Sequence, residues 1–144
     1  MIREIKPNEL NELLTLYTHL HESGIPADSE HLRKTWDLIC GDKNHHVIVY
    51  ELDGRIVSSC VCVIIPNLTR SIRPYAFIEN VVTHTDFRGK GYATACLHYA
   101  RELAKEANCY KMMLLTSAKD ENTLHFYQNA GYNCDDKTAF IQWL

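Results

Sequence analysis

The hexapeptide RGKGYA at residues 88–93 most directly suggests chemistry. It stands between a β-rich run and a long stretch with helical periodicity. Glycines there let the backbone approach a ligand closely, and the first N–H groups of the following helix have no partner within it. Because the helix dipole adds positive potential and Arg88 and Lys90 add charge, the segment predicts a phosphate-binding turn. It matches neither GxxxxGK[ST] nor GxGxxG, so an ordinary helix start is the alternative.

A pair of polar residues interrupts the β-rich run at residues 75–83. Side chains alternate between the two faces of a strand, so if Ile78 faces the core, Glu79 faces the opposite side of the sheet. A carboxylate in the middle of a strand is unfavourable unless it is solvated or paired. Glu79 is therefore a candidate general base, and a partly exposed, salt-bridged strand residue is the alternative.

Two separated strings, IENVVTHTDFRGKGYATACL and ENTLHFYQNAGY, together resemble the GNAT superfamily of acyl-CoA-dependent N-acyltransferases. Arg88, Gly91 and Ala93 match the central family motif, Arg/Gln-x-x-Gly-x-Gly/Ala. The second motif is an Asn before a helix carrying Phe-Tyr, followed by Gly-Phe. It is matched, with Tyr for the last Phe, by Asn122, Phe126, Tyr127, Gly131 and Tyr132.

The resemblance implies a site for acetyl-CoA. The pyrophosphate of acetyl-CoA would be held by the backbone amides of the hexapeptide, which consists of Arg88, Gly89, Lys90, Gly91, Tyr92 and Ala93. The strand backbone at Val81, Val82 and Thr83 would pair with the pantetheine arm, between two central parallel strands that splay apart. Asn122 would hydrogen-bond the same arm, and Tyr127 would point at the thioester sulfur.

Direct transfer to an amine needs a base, an oxyanion donor and an acid. An amine usually arrives as ammonium, so Glu79 or a water chain must remove a proton. The amide of Val81 or Val82 is a candidate oxyanion donor. A thiol with a pKa of about 8.5 leaves, so a tyrosine hydroxyl with a pKa of about 10 can stabilise or protonate the thiolate. Tyr127 fits this role, with packing alone as the alternative.

The acceptor is less clearly encoded. Asn80 and His84 are acceptor-side candidates, and His84 can relay protons. The resemblance implies that acceptor choice lies in the first two helices, the loop between them and the loop near residues 66–74. Those segments carry His19, His21, Glu22, His31, Arg70 and Arg73. The segments CYKMMLL and NTLHFYQNAGY also resemble glucosamine-phosphate N-acetyltransferases, which favours a small amine such as an amino sugar or aminoglycoside.

Other functions stay open. Protein N-termini or lysines are the second choice of acceptor. A non-catalytic acyl-CoA sensor is a different class, and an intact Tyr127 and Glu79 favour the enzyme over it. A thiol- or metal-based redox protein is a third class. An acyl-enzyme on Cys134 is disfavoured because no His or acid stands beside it in sequence.

The elements that position these residues follow from periodicity. The predicted order is β-α-α-β-β-β-α-β-α-β, with Asn8 capping a first helix that runs to about His21. Asp53-Gly54 joins a hairpin, and a last strand contains Phe140, Ile141 and Trp143. Strands lead directly into helices twice in the C-terminal half. The element order therefore predicts an α+β fold with a mixed central β-sheet flanked by helices, and the resemblance implies that this fold is GNAT-like.

Composition limits the remaining possibilities. The 144 residues are 46% apolar and 23% charged, which predicts one globular domain, and the resemblance makes residues 1–144 a single GNAT N-acetyltransferase domain. A net charge of −3 does not indicate the basic surface that nucleic-acid binding requires. No apolar run suits a membrane span or a signal peptide, so a cytoplasmic location is expected. The six cysteines form no CxxC pair, so free thiols and no metal are expected. A homodimer is left open.

Overall fold

The computed structural model describes residues 1–20 and 24–144. The described residues form five strands and five helical segments, with short 3₁₀ turns at Pro7–Glu9 and Thr85–Phe87. In chain order the elements are β1 (Ile2–Glu4), α1 (Leu10–Tyr17), α2 (Glu30–Gly41), β2 (His45–Leu52), β3 (Arg55–Ile65), the short turn α3 (Thr69–Ile72), β4 (Tyr75–Thr83), α4 (Tyr92–Glu106), β5 (Met112–Leu114) and α5 (Glu121–Asn129). Within the described residues, each helix is too short or too polar to cross a bilayer.

The sheet is mixed, as predicted. Its strand order is β1-β2-β3-β4-β5, antiparallel from β1 to β4 and parallel between β4 and β5. The hairpin between β2 and β3 turns at Asp53 (φ +50°) and Gly54 (φ +77°). Two successive positive φ values match the right-handed twist of the flanking strands, which is why this dipeptide favours a tight hairpin.

A β-bulge lies in the middle of β4. Val61 of β3 pairs with Glu79, but Ser59 pairs with Val82, so Cys60 stands opposite the two residues between them. Asn80 takes the extra step with φ +52°. A bulge breaks the strict alternation of side chains. It explains how Glu79 and Asn80, although adjacent, both line one cavity on the α1–α2 side of the sheet.

The parallel pairing of β4 with β5 is short. It covers Ala76 to Ile78 against Met112 to Leu114 and then stops. Beyond Ile78, the edge of β4 that faces β5 has no strand partner in the described part of the chain. This opening, here called the β4–β5 split, leaves strand backbone groups able to pair with something other than protein.

The core lies on both faces of the sheet. On one face α4 packs Leu97 and Ala100 against Ile48 and Ile78. On the other face the helices α1 and α2 contribute two smaller clusters, built around Leu13, Trp36, Val47 and Val61 and around Leu16, Val49, Ile56 and Val82. Ile78 faces α4, so the expected orientation of Glu79 toward the opposite face is observed. All six cysteines are free thiols.

Two sequence predictions about elements are wrong. Residues 133–144 form no strand, and Phe140, Ile141 and Trp143 are 91%, 66% and 85% exposed. Strand propensity alone cannot hold a strand whose backbone finds no partner. Asn8 does not cap α1, because it lies inside the 3₁₀ turn, and Glu9 precedes the helix instead. The predicted end of the first helix near His21 lies outside the described residues, and α1 ends at Tyr17.

Candidate active site

The turn before α4 has the geometry that a phosphate needs. Gly89 and Gly91 have φ values of +73° and +83°, a region that residues with a Cβ rarely adopt. Gly91 is the N-cap of α4, and its carbonyl accepts the first helical hydrogen bond from Ala95 N at 3.0 Å. The N–H groups of Tyr92, Ala93 and Thr94 precede that bond and have no acceptor within the helix. They form the positive end of its dipole.

This turn and α5 enclose a cavity of about 530 Å³, here called the phosphate cavity. It is lined by Thr83, Phe87, Arg88, Gly89, Gly91, Tyr92, Ala93, Thr94, Thr123 and Phe126. The two sequence motifs, far apart in the chain, therefore meet around one space. None of these lining residues is acidic, so the cavity suits an anion.

The two basic residues of the turn bond to backbone carbonyls. Arg88 Nε donates to the carbonyl of Thr83 at 3.2 Å. Lys90 Nζ donates to the carbonyl of Asp86 at 3.2 Å and lies 5.1 Å from the centre of the Phe87 ring. A backbone carbonyl does not neutralise a cation. Both positive charges therefore remain available beside the cavity, although Lys90 does not line it.

Only part of the predicted strand backbone faces the β4–β5 split. The carbonyl of Val82 accepts from Ser58 Oγ at 2.9 Å, and His84 N donates to the carbonyl of Val57 at 2.9 Å, so both backbones point toward β3. Since backbone groups alternate between the two edges of a strand, those of Val81 and Thr83 face the split. Val82 therefore cannot supply the backbone contacts that the sequence assigned to it.

On the opposite face of the sheet lies a second cavity, of about 320 Å³, here called the apolar cavity. It is lined by Leu10, Leu13, Leu14, Tyr17, Leu32, Thr35, Trp36, Ile39, His45, Val47, Val61, Val63, Glu79 and Asn80. Burial lowers the pKa of His45, which favours its neutral form. Glu79 is the one acidic residue among the described lining residues, and none of them is Lys or Arg. Both Glu79 and Asn80 are exposed, so solvent reaches the polar end of the cavity.

Tyr17 closes the apolar cavity near the bulge. Burial raises the pKa of Tyr17 to about 12, and hydrogen bonding to Asn80 and Ser59 opposes that rise. The hydroxyl consequently stays protonated at any ordinary pH.

Tyr127 is half-buried where α5 meets the α4 side of the sheet. It packs against the core cluster containing Cys60 and Ile78, as do Val81 and Leu114 on either side of the β4–β5 split. Burial raises the pKa of Tyr127, with smaller contributions from Cys60 and Glu79. The hydroxyl is therefore a proton or hydrogen-bond donor at neutral pH, not a base. Tyr127 lines neither cavity.

His84 is held away from the apolar cavity. Its Nε2 lies 2.8 Å from Arg55 Nη2, and its ring centroid lies 4.2 Å from that of His19. Burial lowers the pKa of His84, and the neighbouring His19 and Arg55 lower it further. A neutral imidazole that accepts from an arginine is poorly suited to relay protons from an amine near Glu79. His84 does not line the apolar cavity, whereas Glu79 and Asn80 do, and its acceptor-side role stays a prediction.

Sequence reasoning also missed some lining residues. Asn122 is exposed and does not line the phosphate cavity, whereas its neighbour Thr123 does, together with Thr94 and Phe87. The helical spacing between Thr123 and Phe126, three residues apart, was a usable signal, because such residues share a helix face. Within the described residues, no group of three or more His, Cys, Asp or Glu could hold a metal ion.

Comparison with known proteins gives a consistent result. Residues 10–132 match the model of the Acetyltransferase (GNAT) family. A solved putative acetyltransferase from Agrobacterium tumefaciens str. C58 is 36% identical, with a TM-score of 0.92 over 100% of this chain and 99% of that one. Glucosamine 6-phosphate N-acetyltransferase from Trypanosoma brucei brucei is 29% identical over 94% of this chain and 90% of its own length.

A further solved structure bears on the co-substrate. Aminoglycoside N-acetyltransferase AAC(6')-Iy, in complex with CoA, is 16% identical, with a TM-score of 0.77 over 100% of this chain and 99% of that one. At this identity the likeness concerns the fold. The family match, the relatives and the mixed sheet agree with the two motifs around the phosphate cavity. The chain belongs to the GNAT family of acetyltransferases, which use acetyl-CoA.

Proposed function

We propose that this chain transfers the acetyl group of acetyl-CoA directly to a primary amine of a small molecule. One observation carries the proposal: β4 separates an anion-suited cavity on one face of the sheet from a cavity with a carboxylate on the other. The β4–β5 split connects the two faces at the level of Glu79 and Val81. A thioester lying in the split would meet an amine from the side of Glu79.

In this proposal the chain binds acetyl-CoA mainly through backbone groups. The pyrophosphate is held by the backbone amides of the turn and of the first helical residues, namely Arg88, Gly89, Lys90, Gly91, Tyr92 and Ala93. Val81 and Thr83 pair with the pantetheine arm at the split. Asn122, in the first turn of α5, supplies a side-chain hydrogen bond to the same arm.

The chemical step follows from three groups. Glu79, directly or through water, takes a proton from the ammonium, and the amine nitrogen forms a bond to the thioester carbonyl carbon. The N–H of Val81 stabilises the oxyanion. The carbon–sulfur bond then breaks, the nitrogen loses its second proton to water, and Tyr127 donates a hydrogen bond to the leaving thiolate. Because burial raises the pKa of Tyr127, a hydrogen bond to the thiolate is favoured over complete proton transfer.

The acceptor class follows the relatives only in outline. Relatives include a glucosamine 6-phosphate N-acetyltransferase and an aminoglycoside acetyltransferase, so amino sugars and aminoglycosides are the first acceptors to test. Protein N-termini or lysines remain the second class of acceptor. We place the reaction in a reducing cytoplasm, which the six free thiols support. Residues 1–144 would act as one domain.

A panel of amines tests the proposal. Release of free CoA thiol from acetyl-CoA is measured with amino sugars, aminoglycosides, simple alkyl and arylalkyl amines, and lysine peptides. Amine-dependent release with a small molecule supports the proposal, and release only with peptides favours the protein acceptor. Stabilisation by acetyl-CoA without release for any amine would instead indicate a sensor.

We also propose that two copies associate through residues 133–144. This segment carries Phe140, Ile141 and Trp143 in exposed positions, and β5 leaves one sheet edge without a strand partner in the described chain. A strand-forming apolar segment and an open edge in one molecule are complementary. Light scattering should therefore give twice 16.6 kDa for the native chain and 16.6 kDa for Phe140→Ser/Trp143→Ser. Leu68→Ser, at another exposed residue, should stay dimeric, and a monomeric native chain would overturn the idea.

A further inference from the structure

We infer that the acceptor carries its amine on a small apolar body and is not a phosphorylated amino sugar. This inference rests on the proposed acetyltransferase function and concerns the apolar cavity. The juxtaposition that carries it is one carboxylate, Glu79, at the solvent-reached end of a space whose walls are mostly aliphatic and aromatic, with Thr35, His45 and Asn80 as the other polar lining residues beside Tyr17.

The walls of the cavity offer hydrophobic contact in three directions. Leu10, Leu13 and Leu14 come from α1, Trp36 and Ile39 from α2, and Val47, Val61 and Val63 from the sheet. Burying apolar surface against such walls gains roughly 25 cal/mol per Å². The volume of about 320 Å³ stands at the lower end of the roughly 300–1,000 Å³ that ligand sites occupy. The acceptor body is therefore small.

The walls offer few polar groups to a sugar. Trp36 Nε1 is already engaged, since it donates to the carbonyl of Pro7 at 2.8 Å, and most other lining residues are apolar. A sugar ring that entered would leave several hydroxyl groups without partners. A buried hydroxyl group without a hydrogen-bond partner is destabilising, which disfavours a polyhydroxylated body here.

The charges in and around the cavity also disfavour a phosphorylated acceptor. None of the described lining residues is Lys or Arg. The two cations of α2 are paired on the surface, Arg33 with Asp28 at 2.5 Å and Lys34 with Glu30 at 2.7 Å. A phosphate in the cavity would therefore meet Glu79 and no compensating cation from the described residues. An ammonium group gains from the same carboxylate.

The first experiment compares three probe amines at saturating acetyl-CoA: 2-phenylethylamine, glucosamine and glucosamine 6-phosphate. We expect kcat/KM for 2-phenylethylamine to exceed that for glucosamine 6-phosphate at least tenfold. If glucosamine 6-phosphate is the better acceptor, the inference fails while the acetyltransferase proposal stands. If none of the wider amine panel releases thiol, the acetyltransferase proposal itself fails.

Two neighbouring substitutions then test whether the cavity makes the selection. Ile39 lines the cavity, whereas Leu38 beside it on α2 is 74% exposed and lies outside. Ile39→Asn should lower kcat/KM for 2-phenylethylamine about tenfold or more, and Leu38→Asn should leave it within twofold. An equal loss for all three amines, or no loss, would overturn the role of the cavity.

A fold control keeps this comparison decisive. The rise in melting temperature caused by acetyl-CoA should be the same in Ile39→Asn, Leu38→Asn and the native chain, since the phosphate cavity lies on the other face of the sheet. If Ile39→Asn does not fold, Ile39→Val takes its place. Removing one methylene from a hydrophobic site should lower kcat/KM for 2-phenylethylamine severalfold and leave that for glucosamine unchanged. An unchanged value for 2-phenylethylamine would overturn the role of the cavity.

Discussion

The two cavities on either side of β4 are built in opposite ways. The phosphate cavity takes its chemistry from one short stretch of backbone, where left-handed glycines and a helix start turn N–H groups toward one space. The apolar cavity takes its chemistry from side chains of α1, α2, β2, β3 and β4. The first is therefore nearly independent of side-chain identity apart from its glycines. The second is set almost wholly by side chains, which allows acceptor choice to change without disturbing co-substrate binding.

The largest effect should come from breaking the backbone site at Gly91. Acetyl-CoA should stabilise the native chain by about 2.7 kcal/mol at a hundredfold excess over Kd. Gly91→Val should remove most of this gain, because a Cβ at φ +83° is strained and occupies the space in which phosphate approaches. Melting temperatures with and without acetyl-CoA measure it.

The matched control is Gly54→Val in the hairpin. Gly54 has φ +77° and also has no atom within 4 Å of an added Cβ, so the backbone strain is comparable. This variant should lose stability yet keep the full acetyl-CoA shift. A full shift in Gly91→Val would show that the turn does not bind the co-substrate.

The next effect should be chemical and confined to the leaving group. Tyr127→Phe should lower kcat about 10²-fold with little change in KM for acetyl-CoA, because the thiolate becomes charged only along the reaction path. Tyr132→Phe is the control, since Tyr132 is half-buried and its ring centroid lies 6.3 Å from that of Tyr127. Steady-state rates of thiol release, under conditions where chemistry limits turnover, measure both variants. Equal kcat values for both would return Tyr127 to a packing role.

A smaller, pH-dependent effect should distinguish the acceptor side from the co-substrate side. Glu79→Gln should lower kcat/KM for the amine about tenfold below the pKa of that amine, and much of the rate should return above it, where the free amine is abundant. A similar loss at every pH, seen as a raised KM, would mean that Glu79 only orients the acceptor.

The control for this pH–rate profile is a variant with the same net charge as Glu79→Gln. Glu102→Gln removes a surface carboxylate that pairs with Arg101 and Lys105 on α4. Its pH–rate profile should superimpose on that of the native chain. If the Glu79→Gln profile superimposes as well, Glu79 is a structural strand residue.

The smallest effect should come from removing an ion pair that lies outside the apolar cavity, next to the start of α1, the helix that forms one of its walls. Arg3 bonds Glu9 at 2.8 Å through two nitrogens, just before α1, and also pairs with Glu51. Arg3→Met should cost about 1–3 kcal/mol of unfolding free energy at pH 7 and raise KM for the amine slightly. The affinity for acetyl-CoA should not change, because the phosphate cavity does not use this network.

The pH dependence of that loss has a definite sign. Hydrogen bonding to Arg3 lowers the pKa of Glu9 in the folded chain, so the stabilisation is present above the ordinary value near 4.5. It is lost as pH falls through the lowered value, because protonation then favours the unfolded chain. Chemical unfolding between pH 7 and pH 3 should show the native chain and Arg3→Met converging. Parallel curves would contradict the assignment.

The sequence by itself determined the features that local backbone chemistry fixes. The turn at residues 88–93, the Asp53-Gly54 hairpin and the strand-to-helix order each depend on residues adjacent in the chain. The orientation of Glu79 also followed from simple alternation around Ile78. These were enough to predict the mixed sheet and a phosphate-binding turn, and the two motifs together pointed to the family.

Tertiary structure decided whatever depends on partners distant in sequence. The bulge that turns Asn80 to the same cavity as Glu79 arises from register against β3, and the predicted strand at residues 140–143 failed because its backbone met no partner. The pairing of His84 with Arg55 and the apolar walls around Glu79 likewise join separate elements. Packing and hydrogen-bond partners are properties of the folded chain, and residue types in order do not reveal which of them will meet.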